Sequence, residues 1–230
     1  MHPIAPSKIV VGGCLLAFSA SFLNTGFLLS TGTSVSHLTG DIARIGSGLS
    51  SFGESDELPT VRVTVATLGF ILGAVISGFL LHHPALELRK PYGRILAALG
   101  LCIIAAHGFY LRLPILSIGI AGAVCGAQNA LASRYRGVVL RTTHLTGLFT
   151  DLGIHLGMKL RGHRVESWKL WIPVFITFSF MAGAVVSSIF VMRDQSDWML
   201  AAGVGYLIGG IVLSLYKRIT GIGEDVDHGQ

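Results

Sequence analysis

The chain reads as an all-α integral membrane protein of six transmembrane helices arranged as two inverted three-helix repeats. Three observations predict this. First, 51% of the 230 residues are apolar, only 13% are charged, and the mean hydropathy is +0.68; a soluble domain carries roughly 25% charged residues. Second, the apolar residues fall in six continuous runs, each near the ~20 residues a spanning helix needs, without the alternation of a β-barrel strand. Third, a polar segment occurs twice. Asn24, Gly32, His37-Leu38-Thr39-Gly40 and Gly46 return as Asn129, Gly137, His144-Leu145-Thr146-Gly147 and Gly153, and only the spacer between the first Gly and the His changes length.

The first run covers residues 9–30. It lacks the strongly basic start and the small-residue cleavage site of a signal peptide, and its polar tail is repeated later, so it is read as structure. Residues 33–50 are too short and too polar to span. They are helix-compatible, with Thr39 a candidate cap, and read as a re-entrant or interfacial segment. The second run is 61–81 and the third, which holds His107, is 95–111. A tight turn at Arg112 and Pro114 leads into the fourth, 113–132. Residues 142–160 then repeat the short segment, with Thr146 in the capping place. The fifth and sixth runs are 170–192 and 199–216. Residues 219–230 are polar and are expected to be a disordered tail.

One membrane domain, 1–230, thus holds repeat one at 9–111 and repeat two at 113–218. The 30 glycines suit close helix crossings, and Gly69 with Gly73, Gly122 with Gly126 and Gly205 with Gly209 have small-x-x-x-small spacing. Cys14, Cys102 and Cys125 lie in apolar runs without metal-ligand spacing and read as packing residues.

Basic residues set the orientation. With the N-terminus in the cytoplasm, 13 of the 17 Lys and Arg fall in cytoplasmic segments, and Arg44, Arg62, Arg112 and Arg193 outside. That bias supports six spans with both termini cytoplasmic, and it accounts for the basic balance without nucleic-acid binding. His37 and His144 lie 107 positions apart. An odd number of spans per repeat inverts the second copy, so the first motif faces outward and the second inward. Inverted repeats are a transporter architecture with sites near the midplane.

The candidate solute- or proton-binding residues are His37, Thr39, His144, Thr146, Asp151, Asn24, Asn129 and Arg44. Histidine titrates near neutral pH and suits a proton carrier or a hydrogen-bond donor; equally, each His with its Thr could tie down its own loop. His144, Asp151 and His155 share one helical face, as do His37, Asp41 and Arg44. Arg44 aligns with Asp151, and the cost of an unpaired charge at membrane depth suggests that they pair. Asn24 and Asn129 are expected to contact solute or to make interhelical hydrogen bonds. His107 reads as a satisfied packing residue. No His-Glu-x-x-His, nucleophile elbow or nucleotide loop is present, so neither a metal, a cofactor nor an enzyme is expected.

Gly126-Ala127-Gln128-Asn129-Ala130-Leu131 with Arg141-Thr142-Thr143-His144-Leu145-Thr146-Gly147 and Thr150-Asp151-Leu152-Gly153 resembles the second-half signature of the YoaK family. Ser36-His37-Leu38-Thr39-Gly40, with Phe22 and Asn24 upstream, is similar to its first-half signature. The resemblance implies a small multispanning protein of the bacterial cytoplasmic membrane, in a family without an assigned activity. Asp41 and Asn24 depart from it, since family members often carry Asn and Asp there.

The residues thus predict a transporter or permease for a small polar or anionic solute, with proton coupling open to it. The alternatives are a channel-like pore and a structural or sensory subunit. Beyond the bilayer and the solute, the expected partner is a second copy in a homo-oligomer.

Overall fold

The computed structural model describes residues 6–50, 57–81, 91–131, 142–193 and 197–220. The expected tail lies outside them from residue 221 on, as does Gly137. Among the described residues all regular structure is helical: α1 (Pro6–Thr31), α2 (Leu38–Ser50), α3 (Glu57–Leu81), α4 (Tyr92–Tyr110), α5 (Pro114–Leu131), α6 (Leu145–Leu160), α7 (Trp168–Met192) and α8 (Trp198–Ile219).

Six helices, α1, α3, α4, α5, α7 and α8, are long and apolar enough to cross a membrane. The chain is a multi-pass integral membrane protein. The 13 residues of α2 and the 16 of α6 span only about 20 and 24 Å at 1.5 Å per residue, short of the ~30 Å hydrocarbon core. Chain breaks fall where local chemistry asks for them. Gly32 takes φ 71° just past α1, the left-handed conformation that a residue without Cβ adopts freely, and its N–H closes on the Leu28 carbonyl at 2.9 Å. Pro114 opens α5, where its missing N–H costs nothing, after the expected tight turn at 111–113.

In lipid, apolar side chains gain little by leaving one apolar phase for another, so close backbone approach holds the helices together. A Cβ on Gly69 or Gly73 of α3 would strike the carbonyl of Gly119 or Ala123 on α5, and one on Gly122 or Gly126 would strike Ala66 or Phe70. The numbers rise together, so α3 and α5 run parallel. Along α1 and α7, Ser179 Oγ donates to the Cys14 carbonyl at 2.7 Å and Gly183 sits on the Phe18 carbonyl, again in parallel. Between α4 and α8, Gly93 meets Gly210 and Gly100 meets Gly203, so this pair is antiparallel. Gly203 and Gly210 make this crossing, not the expected Gly205 and Gly209, which have nothing within 4 Å and lie on the other face.

At the centre lie α1 and α5. Gln128 of α5 ties them together: its Nε2 donates to the Leu16 carbonyl at 2.8 Å, and its Oε1 accepts from the Tyr206 hydroxyl of α8. Both ends of a buried amide are satisfied, as an apolar interior demands. Phe27, Tyr110 and Trp198 pack edge-to-face at the far end of α1, where Gly26 leaves room for the indole.

Candidate functional site

The connection from α1 to α2 folds back along α1 and is held by one atom. Asn24 Oδ1 accepts from Ser34 Oγ at 2.9 Å and from Val35 N, Ser36 N and Ser36 Oγ at 3.0 Å each. Ser34 Oγ in turn accepts the His37 N–H at 2.8 Å. This connection carries backbone polar groups inside the bundle, and the Asn carbonyl gives them the partner that water would supply elsewhere. Among the described residues, Asn129 does the corresponding work with less: its Oδ1 accepts from Thr143 Oγ1, at 3.2 Å. Both Asn residues thus bond their own loops, and the interhelical hydrogen bond expected of them is not made among the described residues.

His37 closes the first connection. Its ring stacks on Phe180, midway along α7, with centroids 5.5 Å apart and planes 17° apart. The residue as a whole stays exposed, but desolvation of its packed face lowers its pKa by disfavouring the charged imidazolium. Phe180 also joins Ala17, Ile172 and Ile176 in the apolar cluster that Leu148 enters from α6. Phe180 thus joins the His37 ring to the cluster that α6 enters through Leu148. The helices themselves do not meet: α2 packs on α3 and α6 on α7, without an α2–α6 contact among the described residues.

His144 behaves differently. It is the N-cap residue of α6, makes no side-chain capping bond, and lies over the first turn, with Nδ1 2.6 Å from where a Gly147 Cβ would stand. The Gly of the second motif makes room for its His. Gly40 has nothing within 4 Å, because His37 has turned to Phe180. The expected threonine caps are not made. Both helices start directly after the His, which leaves exposed Thr39 and Thr146 inside the first turn; Thr146 offers its carbonyl to Thr150 Oγ1 at 2.9 Å.

Arg44 and Asp151 form no ion pair. Arg44 Nη1 donates to the Gly32 carbonyl at 2.8 Å, and Arg62 Nη1 to the Thr31 carbonyl at 2.9 Å. Two guanidiniums so cap the C-terminus of α1, where the helix dipole is negative. Asp151 is half-buried on α6. His107 is not the satisfied packing residue expected: its Nδ1 is buried without a partner, as is that of His155.

Sequence reading put Asp41 on a face with His37 and Arg44 without foreseeing its burial, and passed over two further features. Asp41, in the first turn of α2, is only 4% exposed, and its Oδ2 has no hydrogen-bond partner. Burial raises its pKa; Arg44 and the Ser34 hydroxyl offset this in part. Thr67 and Ser77 on α3, and Thr177 and Ser187 on α7, also carry buried hydroxyls without partners. They belong to a second internal repeat, Thr67-x-x-Phe70-x-x-Gly73-Ala74-Val75-x-Ser77 against Thr177-x-x-Phe180-x-x-Gly183-Ala184-Val185-x-Ser187, which a comparison at a spacing of 110 in place of 107 would have exposed.

Neither a curated protein nor a solved structure matches this chain. A family model described as Protein of unknown function (DUF1275) matches residues 12–213, nearly all of the helical bundle, and the chain belongs to that family.

Proposed function

We propose that this protein is a carrier, not an enzyme, for a small polar or anionic solute, and that it works in the bacterial cytoplasmic membrane with both termini in the cytoplasm. Its two units, 9–111 and 113–218, are inverted relative to one another, and α2 and α6 are re-entrant half-helices. The motif likeness to YoaK proteins is compatible with the family membership.

Helix direction supports the inversion. With α1 pointing up, α7 is parallel to it; α5 is opposed, since it starts just after Tyr110, which meets Phe27 near the end of α1, and runs back to Gln128 beside Leu16; α3 follows α5, and α4 and α8 oppose each other. Each helix of one unit therefore opposes its counterpart in the other. The contacts repeat as well: Gly73 on Ala123 is matched by Gly183 on Phe18, and Gly93 on Gly210 by Gly203 on Gly100. Orientation rests on the basic ends. Lys159, Arg161, Arg164 and Lys169 flank the start of α7, which packs beside the start of α1, and Lys217 of α8 lies over Tyr92 at the start of α4.

The observation that carries the carrier reading is the stacking of His37 on Phe180 at the middle of a spanning helix. It supports a place for the N-terminus of α2 at mid-depth, where the N–H groups and positive dipole end of a broken helix can hold an anionic or polar group. His37, Asn24, Thr39 and Arg44 form the outer half of the site. His144, Asn129, Thr146 and Asp151 form the inner half. A pore made by α2 meeting α6 is disfavoured by their separation.

The test is uptake into proteoliposomes of labelled phosphate, sulfate, small carboxylates and neutral amino acids, with and without a pH gradient. Uptake of one class, abolished by His144→Ala and by Asp151→Asn, is expected. Flux that survives both with altered selectivity would make the protein a pore, and no flux from folded protein would end the carrier reading. Cysteine labelling beside His37 and His144, in a background lacking Cys14, Cys102 and Cys125, should find the first motif open only to the outside and the second only to the cytoplasm. Labelling of both from one side would overturn the inversion.

A further inference from the structure

We infer that Asp41 is a proton-binding site: it holds its proton at neutral pH and, through Ser34, closes a hydrogen-bond relay onto Asn24 that pins the first motif loop to α1. The repeat supplies the first argument. The residue that corresponds to Asp41 in the second motif is Leu148, and both are almost fully buried, at 4% and 3% exposure. A place that one repeat fills with leucine is a place for a neutral side chain. A carboxylic acid is neutral when protonated.

Hydrogen-bond accounting supplies the second argument. Ser34 Oγ has one proton to donate and gives it to Asn24 Oδ1 at 2.9 Å, while the neighbouring Asp41 carboxyl keeps a buried Oδ2 without a partner. With Asp41 protonated, the carboxyl O–H donates to Ser34 Oγ and Ser34 donates to Asn24 Oδ1, so that each donor has an acceptor. With Asp41 ionised, both Asp41 and Asn24 claim the single Ser34 proton, and one of them loses.

The charged neighbours do not change this. Arg44 of α2 is the charge that acts on Asp41, Arg62 of α3 stands with Arg44 at the end of α1, and the remaining titratable group of the loop is His37. Arg44 is held by Gly32 O, Arg62 Nη1 by Thr31 O, and the His37 ring lies on Phe180. Neither guanidinium forms an ion pair with Asp41. Loss of the proton would therefore call Arg44 away from Gly32, and the loop would lose an anchor at the end of α1 as well as the Ser34 link. Sodium is a poor substitute for the proton, since Asn24 Oδ1, the oxygen at the other end of the relay, already takes four donors.

The protonation does not depend on the carrier reading; if that reading holds, the outer motif is the half that senses protons. The sign of the pH effect follows. Folding favours protonated Asp41, so its contribution to stability is full below the ordinary carboxylate range and is lost as pH rises through its raised pKa. His37 acts in the opposite sense, because its lowered pKa favours the neutral ring and its contribution is lost as pH falls.

The experiment is infrared difference spectroscopy of the purified full chain titrated from about pH 5 to about pH 9, together with thermal unfolding over the same range. It compares wild type with Asp41→Asn, whose amide can donate to Ser34 as the acid does, each with and without His37→Gln. A protonated-carboxyl band present at neutral pH, removed by Asp41→Asn, is expected. In the His37→Gln background, the midpoint should fall on the order of 5 °C with rising pH when Asp41 is present. It should stay flat when Asp41→Asn is added, because the amide does not titrate. If Asp41→Asn does not fold, the wild-type band decides alone. Absence of the band at neutral pH, matching pH profiles with and without Asp41, or stabilisation by sodium over choline at fixed pH would each overturn the proposal.

Discussion

The two His-Leu-Thr-Gly segments share four residues and differ in almost everything those residues touch. In the first, Asn24 takes four hydrogen bonds, His37 leaves its helix to stack on Phe180, and a carboxyl group is buried at Asp41. In the second, Asn129 takes one bond among the described residues, His144 folds onto Gly147, and the buried place is Leu148. Identical side chains thus serve as a packed anchor in one half and as an uncapped helix start in the other. The difference shows that a repeated motif preserves a backbone path, while the neighbouring helices decide what its side chains do.

The comparison can be broken most forcefully by moving the acid. Leu148→Asp is expected to cost about 3 kcal/mol or more in detergent unfolding, because a carboxyl group enters an apolar cluster. The mirror change, Asp41→Leu, should be far milder; equal losses would mean that the two places are not alike. Next comes the loop anchor. Asn24→Ala strands several buried donors at about 1–3 kcal/mol each and should cost roughly 3 kcal/mol after relaxation, against about 1 kcal/mol for Asn129→Ala. Asn24→Asp keeps the acceptor and should be tolerated.

Phe180→Ala sharpens the contrast between the histidines. It opens the His37 ring to its surroundings, so the His37 pKa should rise toward its ordinary value in an NMR titration. The smallest effects belong to the motif glycines. Gly147→Ala presses on the His144 ring and should cost about 1 kcal/mol, whereas Gly40→Ala meets nothing and should stabilise α2 by roughly 0.5 kcal/mol through helix propensity. A loss at Gly40 equal to that at Gly147 would mean that His37 also visits the folded-back position.

Much of this was legible before any coordinates. The six apolar runs, the short polar segments between them and the crossings at Gly69, Gly73, Gly122 and Gly126 follow from run length and residue size. Other readings failed for identifiable reasons. Gly205 and Gly209 have the right spacing but the wrong face, and spacing cannot say which face meets α4. Arg44 and Asp151 align in sequence, yet Arg44 finds the nearer carbonyl at the end of α1. The Thr67-to-Ser77 repeat was hidden because Asn24 and Asn129 are 105 apart, the histidines 107, and Phe70 and Phe180 110. Connections of different length shift the register from helix to helix, and a single offset misses most of it.

By itself, the sequence determined that this chain lives in a membrane, how many times it can cross, and that it carries two related polar segments. Those properties depend on the composition and length of contiguous stretches, which a bilayer reads one segment at a time. Only the tertiary structure decided that Asn24 holds a loop, that His37 and His144 turn different ways, and that an acid and a leucine occupy twin places. These outcomes depend on which carbonyl, ring or hydroxyl a neighbouring helix brings within about 3–6 Å, and that distance is set by helix crossings between residues far apart in the chain.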